Sequence, residues 1–175
     1  AGAVTWGDGD IGTAGAVGAA NSLVGSTNQD GVGKANVVVL RNGNYVVPSP
    51  DWDNGPAQNA GAVTWGDGDT GIAGAIGASN SLVGSSTSDS VGGAIDAIVE
   101  LANGNYLVNS CNWNNGSATR AGAVTWAHGE IGITGPVSSA NSYVGSTSGD
   151  QIGGGASGVR RLLTGGECRG ALFVS

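Results

Sequence analysis

The segment NAGAVTWGDGDTGIAGA (59–75) has two near copies in the same chain. AGAVTWGDGDIGTAGA occupies 1–16, and the looser copy AGAVTWAHGEIGITGP occupies 121–136. Successive copies of the shared AGAVTW phrase begin 59 and 61 residues apart. Internal repetition with a period of tens of residues is typical of stacked or ring-shaped architectures, in which each unit packs against its neighbours.

The repeat predicts a single domain built from similar units, at about 1–59, 60–120 and 121–175, the last one degenerate at its end. Each unit contains four short runs rich in Val, Ile, Tyr or Trp, and each run is bounded by Gly, Asn, Asp or Ser, as β-strands are. The runs are AVTW (3–6, 62–65, 123–126), NSLVGS (21–26, 80–85) with NSYVGS (141–146), NVVVL (36–40) with AIVEL (97–101), and NYVVPS (44–49) with NYLVNS (105–110).

Asn-Gly pairs predict the turns of these units. Asn42-Gly43 and Asn103-Gly104 join the third and fourth runs, and this dipeptide tolerates the positive φ at both central positions that a type I′ hairpin requires. Asn54-Gly55 and Asn115-Gly116 mark a further turn before the next AVTW. A unit is therefore predicted to be a four-stranded antiparallel meander.

Several such sheets packed around an axis would form a β-propeller, which is the predicted fold class. Three units fall below the usual four to eight blades, so two chains completing a six-bladed ring, or a longer parent chain, both remain open. A three-fold β-prism or trefoil-like closure and a β-solenoid are alternatives. The end segments GVRRLL (158–163) and ALFVS (171–175) stand where the third and fourth runs of a further unit should begin. Two alternatives remain open: they complete the first unit as a closing half-unit, or they are an unrelated end that packs elsewhere.

Composition excludes several classes of protein. The 175 residues include 35 glycines, which disfavours long helices, and only 11% charged residues, which disfavours charge-driven disorder. The chain has only four prolines and no strict Gly-X-Y period, so it is not collagen-like. The net charge of −7 would repel phosphate backbones, so nucleic acid is not an expected partner. No run approaches the ~20 apolar residues of a membrane span. The chain does not begin with Met, which suggests a processed product or a piece of a longer protein. Cys111 and Cys168 could pair or remain thiols.

The segment LRNGNYVVPSPDWDNG (40–55), followed by AGAVTWGDGDTG (60–71) and NSLVGS (80–85), resembles a repeat of very long secreted bacterial proteins. These are filamentous-haemagglutinin-like and autotransporter-like adhesins. The order of NG, NYVV, SP and GAVTW is also similar to the blades of FG-GAP or integrin-type propellers, which often hold calcium in acidic loops. The resemblance implies an extracellular or cell-surface module that acts in binding or as a spacer.

The five tryptophans fall on repeat positions and form two sets. The first, Trp6, Trp65 and Trp126, ends a strand and is expected to pack between units. The second lies in polar turns, where an indole could stack on a sugar ring while neighbouring Asp or Asn side chains bind hydroxyl groups; an indole that caps its own sheet is the alternative. The candidate glycan-binding residues are Asp51, Trp52, Asp53, Asn112, Trp113 and Asn114.

The acidic GDGD loops are candidate calcium sites. Alternating carboxylates at Asp8 and Asp10, and at Asp67 and Asp69, surround a small volume with hard oxygen ligands. The EF-hand pattern is absent, so backbone and water would have to supply the remaining ligands. A solvated Asp-Gly turn is the alternative. The third copy reads AHGE (127–130), and we expect it to be the weakest metal site.

No constellation of residues predicts catalysis. His128 is the chain's single histidine and has no nucleophile motif beside it, and no pair of repeated carboxylates suggests glycoside hydrolysis. The sequence therefore predicts a non-enzymatic extracellular binding module that is lectin-like and self-associating, with calcium as its candidate cofactor. The alternative is a structural spacer or assembly repeat of a large adhesin or filament, with no ligand of its own.

Overall fold

A computed structural model describes residues 1–154, and within this range the chain forms short β-strands and no helix. The prediction of an all-β repeat protein is thus confirmed. No helix in the described range is long and apolar enough to cross a membrane. The strands are β1 (Ala3–Thr5), β2 (Ser22–Val24), β3 (Val38–Val39), β4 (Tyr45–Ser49), β5 (Ala62–Gly66), β6 (Gly74–Ala75), β7 (Ser81–Val83), β8 (Ile98–Glu100), β9 (Tyr106–Ser110), β10 (Ala123–Ala127), β11 (Gly135–Pro136) and β12 (Ser142–Val144).

The strands form three sheets whose orders are β1-β2-β6, β11-β7-β5-β4-β3 and β12-β10-β9-β8. In the middle sheet β3, β4, β5 and β7 are antiparallel neighbours, so a four-stranded meander is present. It combines the third and fourth runs of the predicted first unit with the first and second runs of the predicted second unit. The third sheet repeats the register, since Ala123 lies opposite Ser110 as Ala62 lies opposite Ser49. The strands of the meander follow from the four apolar runs of the sequence.

Consecutive units are joined within a sheet by the antiparallel pairs β4–β5 and β9–β10, and neighbouring sheets are joined by two further short strands. β6 pairs in parallel with β2, with Gly74 opposite Leu23. β11 pairs in parallel with β7, with Gly135 opposite Leu82. A Gly-Ala or Gly-Pro pair has little intrinsic preference for a strand, so the sequence did not predict these two. The first and the middle sheet therefore each receive one short strand from the chain segment that follows the central strand of the next sheet.

The middle sheet is buried on both faces by two separate apolar clusters. Successive strand residues point to opposite faces, so Val46 lies in one cluster and Val47 in the other. One cluster joins the middle sheet to the first and contains Leu23; the second joins it to the third and contains Val108. Within the middle sheet, Thr64 and Ser81 share a buried hydroxyl hydrogen bond of 2.7 Å. The units are therefore stacked face to face around two successive cores.

Trp6 and Trp65 of the first set interlock neighbouring units, as predicted, whereas Trp126 is 49% exposed in the part of the chain that the structure describes. The indole Nε1 of Trp6 donates to the Gly68 carbonyl at 2.9 Å, and that of Trp65 donates to the Gly129 carbonyl at 2.9 Å. Each ring also lies against a glycine of the next unit. A Cβ added to Gly71 would lie 2.6 Å from Trp6 Cβ. Only a residue without a side chain permits this approach.

The predicted type I′ geometry of the Asn-Gly hairpins is wrong. Gly43 and Gly104 have φ of +91° and +84°, but Asn42 and Asn103 are not among the residues with positive φ. The Gly43 amide donates to the Leu40 carbonyl at 3.0 Å, so the tight turn includes residues 40–43 and ends in a left-handed glycine. A three-residue loop of this kind also matches the twist of the hairpin strands. In it the Asn-Gly pair occupies the third and fourth positions of the tight turn, whereas a type I′ turn would have it at the second and third.

Two segments and one cysteine for which the sequence analysis made predictions lie outside residues 1–154. GVRRLL (158–163), ALFVS (171–175) and Cys168 are outside the described residues. Cys111 is buried at the end of β9.

Replacing Gly132 with alanine should destabilise the protein more than replacing Gly12. Both glycines have left-handed backbones, with φ of +67° and +69°, so both variants carry a strain of about 1 kcal/mol. A Cβ at Gly132 would lie 2.5 Å from Trp65 Cβ, whereas one at Gly12 meets nothing within 4 Å. We expect overpacking to add about 1–3 kcal/mol for Gly132→Ala in urea unfolding of dilute protein. Equal losses in the two variants would contradict the interlock.

Candidate functional site

The second tryptophan set lies inside the protein. Trp52 and Trp113 are 4% and 5% exposed and belong to the two apolar clusters. Their backbone amides donate to the Ser49 and Ser110 carbonyls at 3.1 and 3.0 Å, which turns the chain back over the end of its own strand. Their indole nitrogens have no hydrogen-bond partner among residues 1–154. In this conformation the rings cap their sheets, and sugar stacking on them would require that they become exposed.

Polar residues that flank these tryptophans stabilise loops. Asp53 Oδ1 accepts the Asn59 amide at 2.8 Å, and Asn114 Oδ1 accepts the Arg120 amide at 2.9 Å. These equivalent bonds fold the segment that leads into the next AVTW strand. Asp51 pairs with the exposed Lys34 at 2.6 Å. Asn112 is half-buried beside Trp113. The structure thus places all six predicted glycan residues at two turns, one per unit, without joining the turns into a single site.

A repeated aspartate outside the GDGD loops, which the sequence reasoning missed, accepts several hydrogen bonds from two loops. Asp30 is fully buried and accepts the Ser26, Thr27 and Asp53 amides at 2.5, 2.7 and 3.1 Å. Asp89 repeats this pattern with the Asn114 amide at 3.0 Å. A detectable signal existed, because all three copies keep an aspartate five residues after the VG of the second run: Asp30, Asp89 and Asp150.

The hydrogen bonds to Asp30 outweigh the effect of its burial. Burial alone would raise the pKa of this carboxyl, since it disfavours the charged form. The Thr27 hydroxyl and the amides of Thr27, Asp53 and Ser26 donate to the carboxylate, and together they hold the pKa below its ordinary value of 3.8. The ionised side chain is therefore a structural anchor between the loop of one run and the turn that contains Trp52.

The GDGD loops are closed by their first aspartate. Asp8 Oδ1 accepts the Asp10 amide at 2.8 Å, and Asp67 Oδ1 accepts the Asp69 amide at 2.9 Å. In the third copy, His128 Nδ1 accepts the equivalent Glu130 amide at 3.1 Å. An imidazole nitrogen can replace a carboxylate oxygen here because the turn requires an acceptor. The first Asp of each loop therefore has a turn-forming role that His128 shares.

The second aspartate of each loop faces solvent. Asp10 and Asp69 are exposed. Hydrogen bonds from Thr70 and the Asp69 amide lower the pKa of Asp67, so the first carboxylate is ionised. Within residues 1–154 no group of three or more His, Cys, Asp or Glu side chains is placed to hold a metal ion. A calcium ion at these loops would therefore depend on backbone and water oxygens for most of its coordination.

A polar cleft of about 410 Å³ lies where three units meet. Its walls come from the hairpin turns of two units and the AHGE loop of the third. Asn42 Nδ2 bridges them, donating to the Gly129 carbonyl at 2.9 Å and to Glu130 Oε1 at 3.2 Å. The lining residues are Arg41, Asn42, Ala102, Asn103, Gly104, Asn105, His128, Gly129 and Glu130.

The cleft is lined by side chains and backbone groups that can donate or accept hydrogen bonds. The Arg41 guanidinium lies 3.3 Å from the Glu100 carboxylate, and the Arg41 amide donates to the same group at 2.6 Å. The lining offers amide, guanidinium, imidazole and carboxylate groups, but no hydroxyl or thiol nucleophile. These contacts join residues 59 to 88 positions apart, so no local motif predicts them.

These features define an all-β repeat protein whose units share strands and interlock through tryptophan. The chain belongs to the family described as Repeat of unknown function (DUF5650), whose model matches residues 1–34, 39–93 and 100–154. No curated protein and no solved structure matches the chain. The two longer matches begin at the last residue of β3 and of β8, so the family's repeat follows the sheets.

Acid should remove the stabilisation that Asp30 provides. Its pKa is lowered in the folded state, so its contribution is complete above pH 3.8 and is lost as the pH falls through the lower folded value. We expect Asp30→Ala to cost about 2 kcal/mol at pH 7 by leaving buried amides unpaired, and to flatten the loss of stability in acid. Thermal unfolding between pH 2 and 7 measures both effects.

Asp10→Ala is the matched control for this experiment, because the Asp10 side chain is exposed. It should keep the stability and the acid dependence of the unchanged protein. If Asp30→Ala and Asp10→Ala behave alike at pH 7, Asp30 is not an anchor.

Proposed function

We propose that this chain is a non-catalytic structural repeat, a rigid scaffold segment that holds its units in a fixed stack. The observation that carries the proposal is that the most distinctive repeated side chains are used inside the protein. Trp65 contacts the next unit, Trp52 caps its own sheet, and Asp30 holds two loops together. A repeat that had diverged around a ligand would instead expose such residues at one shared surface.

An extracellular adhesin or filament is the setting we propose. The resemblance to long secreted bacterial repeats supports it, and the net charge of −7 suits a soluble surface outside the cell. Because β6 and β11 each pair with the preceding sheet, the same contacts could be repeated to lengthen the stack unit by unit. Closure of such units into a β-propeller, including a six-bladed ring of two chains, is the alternative arrangement, as are the β-prism, trefoil-like and β-solenoid forms.

Mechanical coupling between units tests the scaffold role. Trp65→Ala should remove the indole between the second and third units, costing about 2–4 kcal/mol, and should increase hydrogen exchange in residues 128–137. Trp126→Ala is the matched control, since Trp126 occupies the same repeat position but is 49% exposed. It should cost less than about 1 kcal/mol. If Trp65→Ala leaves exchange in residues 128–137 unchanged, the units are independent and the rigid scaffold is refuted.

A lectin-like function is the second candidate, and the polar cleft favours it. Its volume of 410 Å³ lies within the range of small-ligand sites. Asn103, Arg41 and Glu130 present donors and acceptors suited to sugar hydroxyl groups. This places the proposed glycan contact at the hairpin turns, separate from the buried Trp52 and Trp113.

A glycan array, run once with calcium and once with EDTA, tests this candidate. Glu130→Ala changes the cleft, and Asp69→Ala changes the equivalent exposed position of the preceding unit. Binding lost in Glu130→Ala and kept in Asp69→Ala, with or without EDTA, would support a cleft lectin. Binding lost in EDTA and in Asp69→Ala would support calcium at the acidic loops. Absence of binding in every condition would leave the structural role alone.

A further inference from the structure

Exposed apolar side chains at the two ends of the stack correspond to side chains that are buried within it. Tyr143 in β12 is 82% exposed, whereas its equivalents Leu23 and Leu82 are fully buried under the next unit. Val17 in the first unit is 64% exposed, whereas its equivalents Ile76 and Val137 are buried against the preceding unit. At the end that contains Tyr143, the protein exposes the surface that the next unit covers elsewhere in the stack. At the end that contains Val17, it exposes the surface that elsewhere packs onto the preceding unit.

The interface between neighbouring sheets occurs twice within the chain, with the same contacts each time. In each case a short strand pairs in parallel with the preceding sheet, and the residue that follows it donates a backbone hydrogen bond to that sheet. The Ile76 amide donates to the Val24 carbonyl at 3.1 Å, and the Val137 amide donates to the Val83 carbonyl at 3.0 Å. The equivalent pair at the ends is the Val17 amide and the Val144 carbonyl.

The first unit already has the backbone that this interface requires. Gly12 has φ of +69°, close to the +72° of Gly71, which receives Trp6. A Cβ at Gly12 meets no atom of residues 1–154 within 4 Å, so none of these residues takes the place over Gly12 that Trp6 occupies over Gly71. Gly15 at φ +119° likewise matches Gly74 at +112°. The half-exposed Trp126 is the indole that such a glycine would receive.

We propose that the end face formed by Trp126 and β12 binds residues 12–17 of a second copy of this chain, head to tail. Trp126 would lie on the partner's Gly12, and the partner's Val17 would enter the core beside Tyr143. This inference rests on the proposed scaffold function and names its partner. Such an interface is heterologous, so it can be repeated to form a ring or a filament.

Sedimentation velocity of the full chain over a wide concentration range tests the proposal. We expect association that grows with concentration, and we expect Val17→Asp and Tyr143→Asp each to weaken it by at least about tenfold, since a charge would be buried at the contact. Both side chains are exposed in the single copy, so neither variant should lower the melting temperature of dilute protein.

Ile11→Asp is the matched control, because Ile11 is an exposed apolar residue beside Gly12 whose equivalent Ile131 stays 74% exposed within the stack. It should leave association unchanged. A mixture of Val17→Asp and Tyr143→Asp should form a dimer and nothing larger. The Val17→Asp variant keeps an intact Tyr143 end, the Tyr143→Asp variant keeps an intact Val17 end, and only these two ends can bind each other. That result is specific to a head-to-tail contact.

Two outcomes would overturn the proposal. One is a full chain that stays monomeric at every concentration, as it would if its own residues covered the end face. The other is association that Val17→Asp and Tyr143→Asp leave unchanged. In both cases the hydrogen-exchange response to Trp65→Ala still decides the scaffold function separately, since it is measured on a single copy.

Discussion

Contact between an indole and a bare backbone is the constraint on which the stack depends. Trp65 lies on Gly132 and donates to the Gly129 carbonyl, and Trp6 makes the same two contacts with Gly71 and Gly68. Apolar contact and a hydrogen bond are combined in one side chain, which fixes both the distance and the orientation of two units. A larger residue at Gly132 would hold the sheets apart and open the core between them.

This constraint explains why the repeat phrase keeps some letters and varies others. AGAVTW supplies the strand and its tryptophan, so all three copies contain it. The loop that follows needs one hydrogen-bond acceptor and one glycine, and His128 satisfies the first requirement as well as Asp67 does. Carboxylates at Asp10 and Asp69 are free of this requirement, so they are the positions at which a separate function could arise.

The short strands that pair with the preceding sheet give the stack of units a direction. Each unit covers the sheet before it and presents its own sheet to the unit after it, so every interface joins two different surfaces. A stack of this kind has unlike ends by construction. The exposure of Tyr143 at one end and Val17 at the other follows from that asymmetry, and it is the basis of the head-to-tail contact that we propose.

The sequence by itself determined the local structure, because strands and turns depend on neighbouring residues. Val- and Tyr-rich runs, Asn-Gly turns and the 59-residue period were sufficient to predict the antiparallel meander and the tryptophans between units. Contacts between residues far apart in the chain were decided by the tertiary structure. Burial of Trp52 and Trp113, the parallel strand at Gly74 and the cleft around Asn42 arise only when units stack. An indole in a polar turn looks the same in sequence whether it faces solvent or caps a sheet, and only packing distinguishes the two.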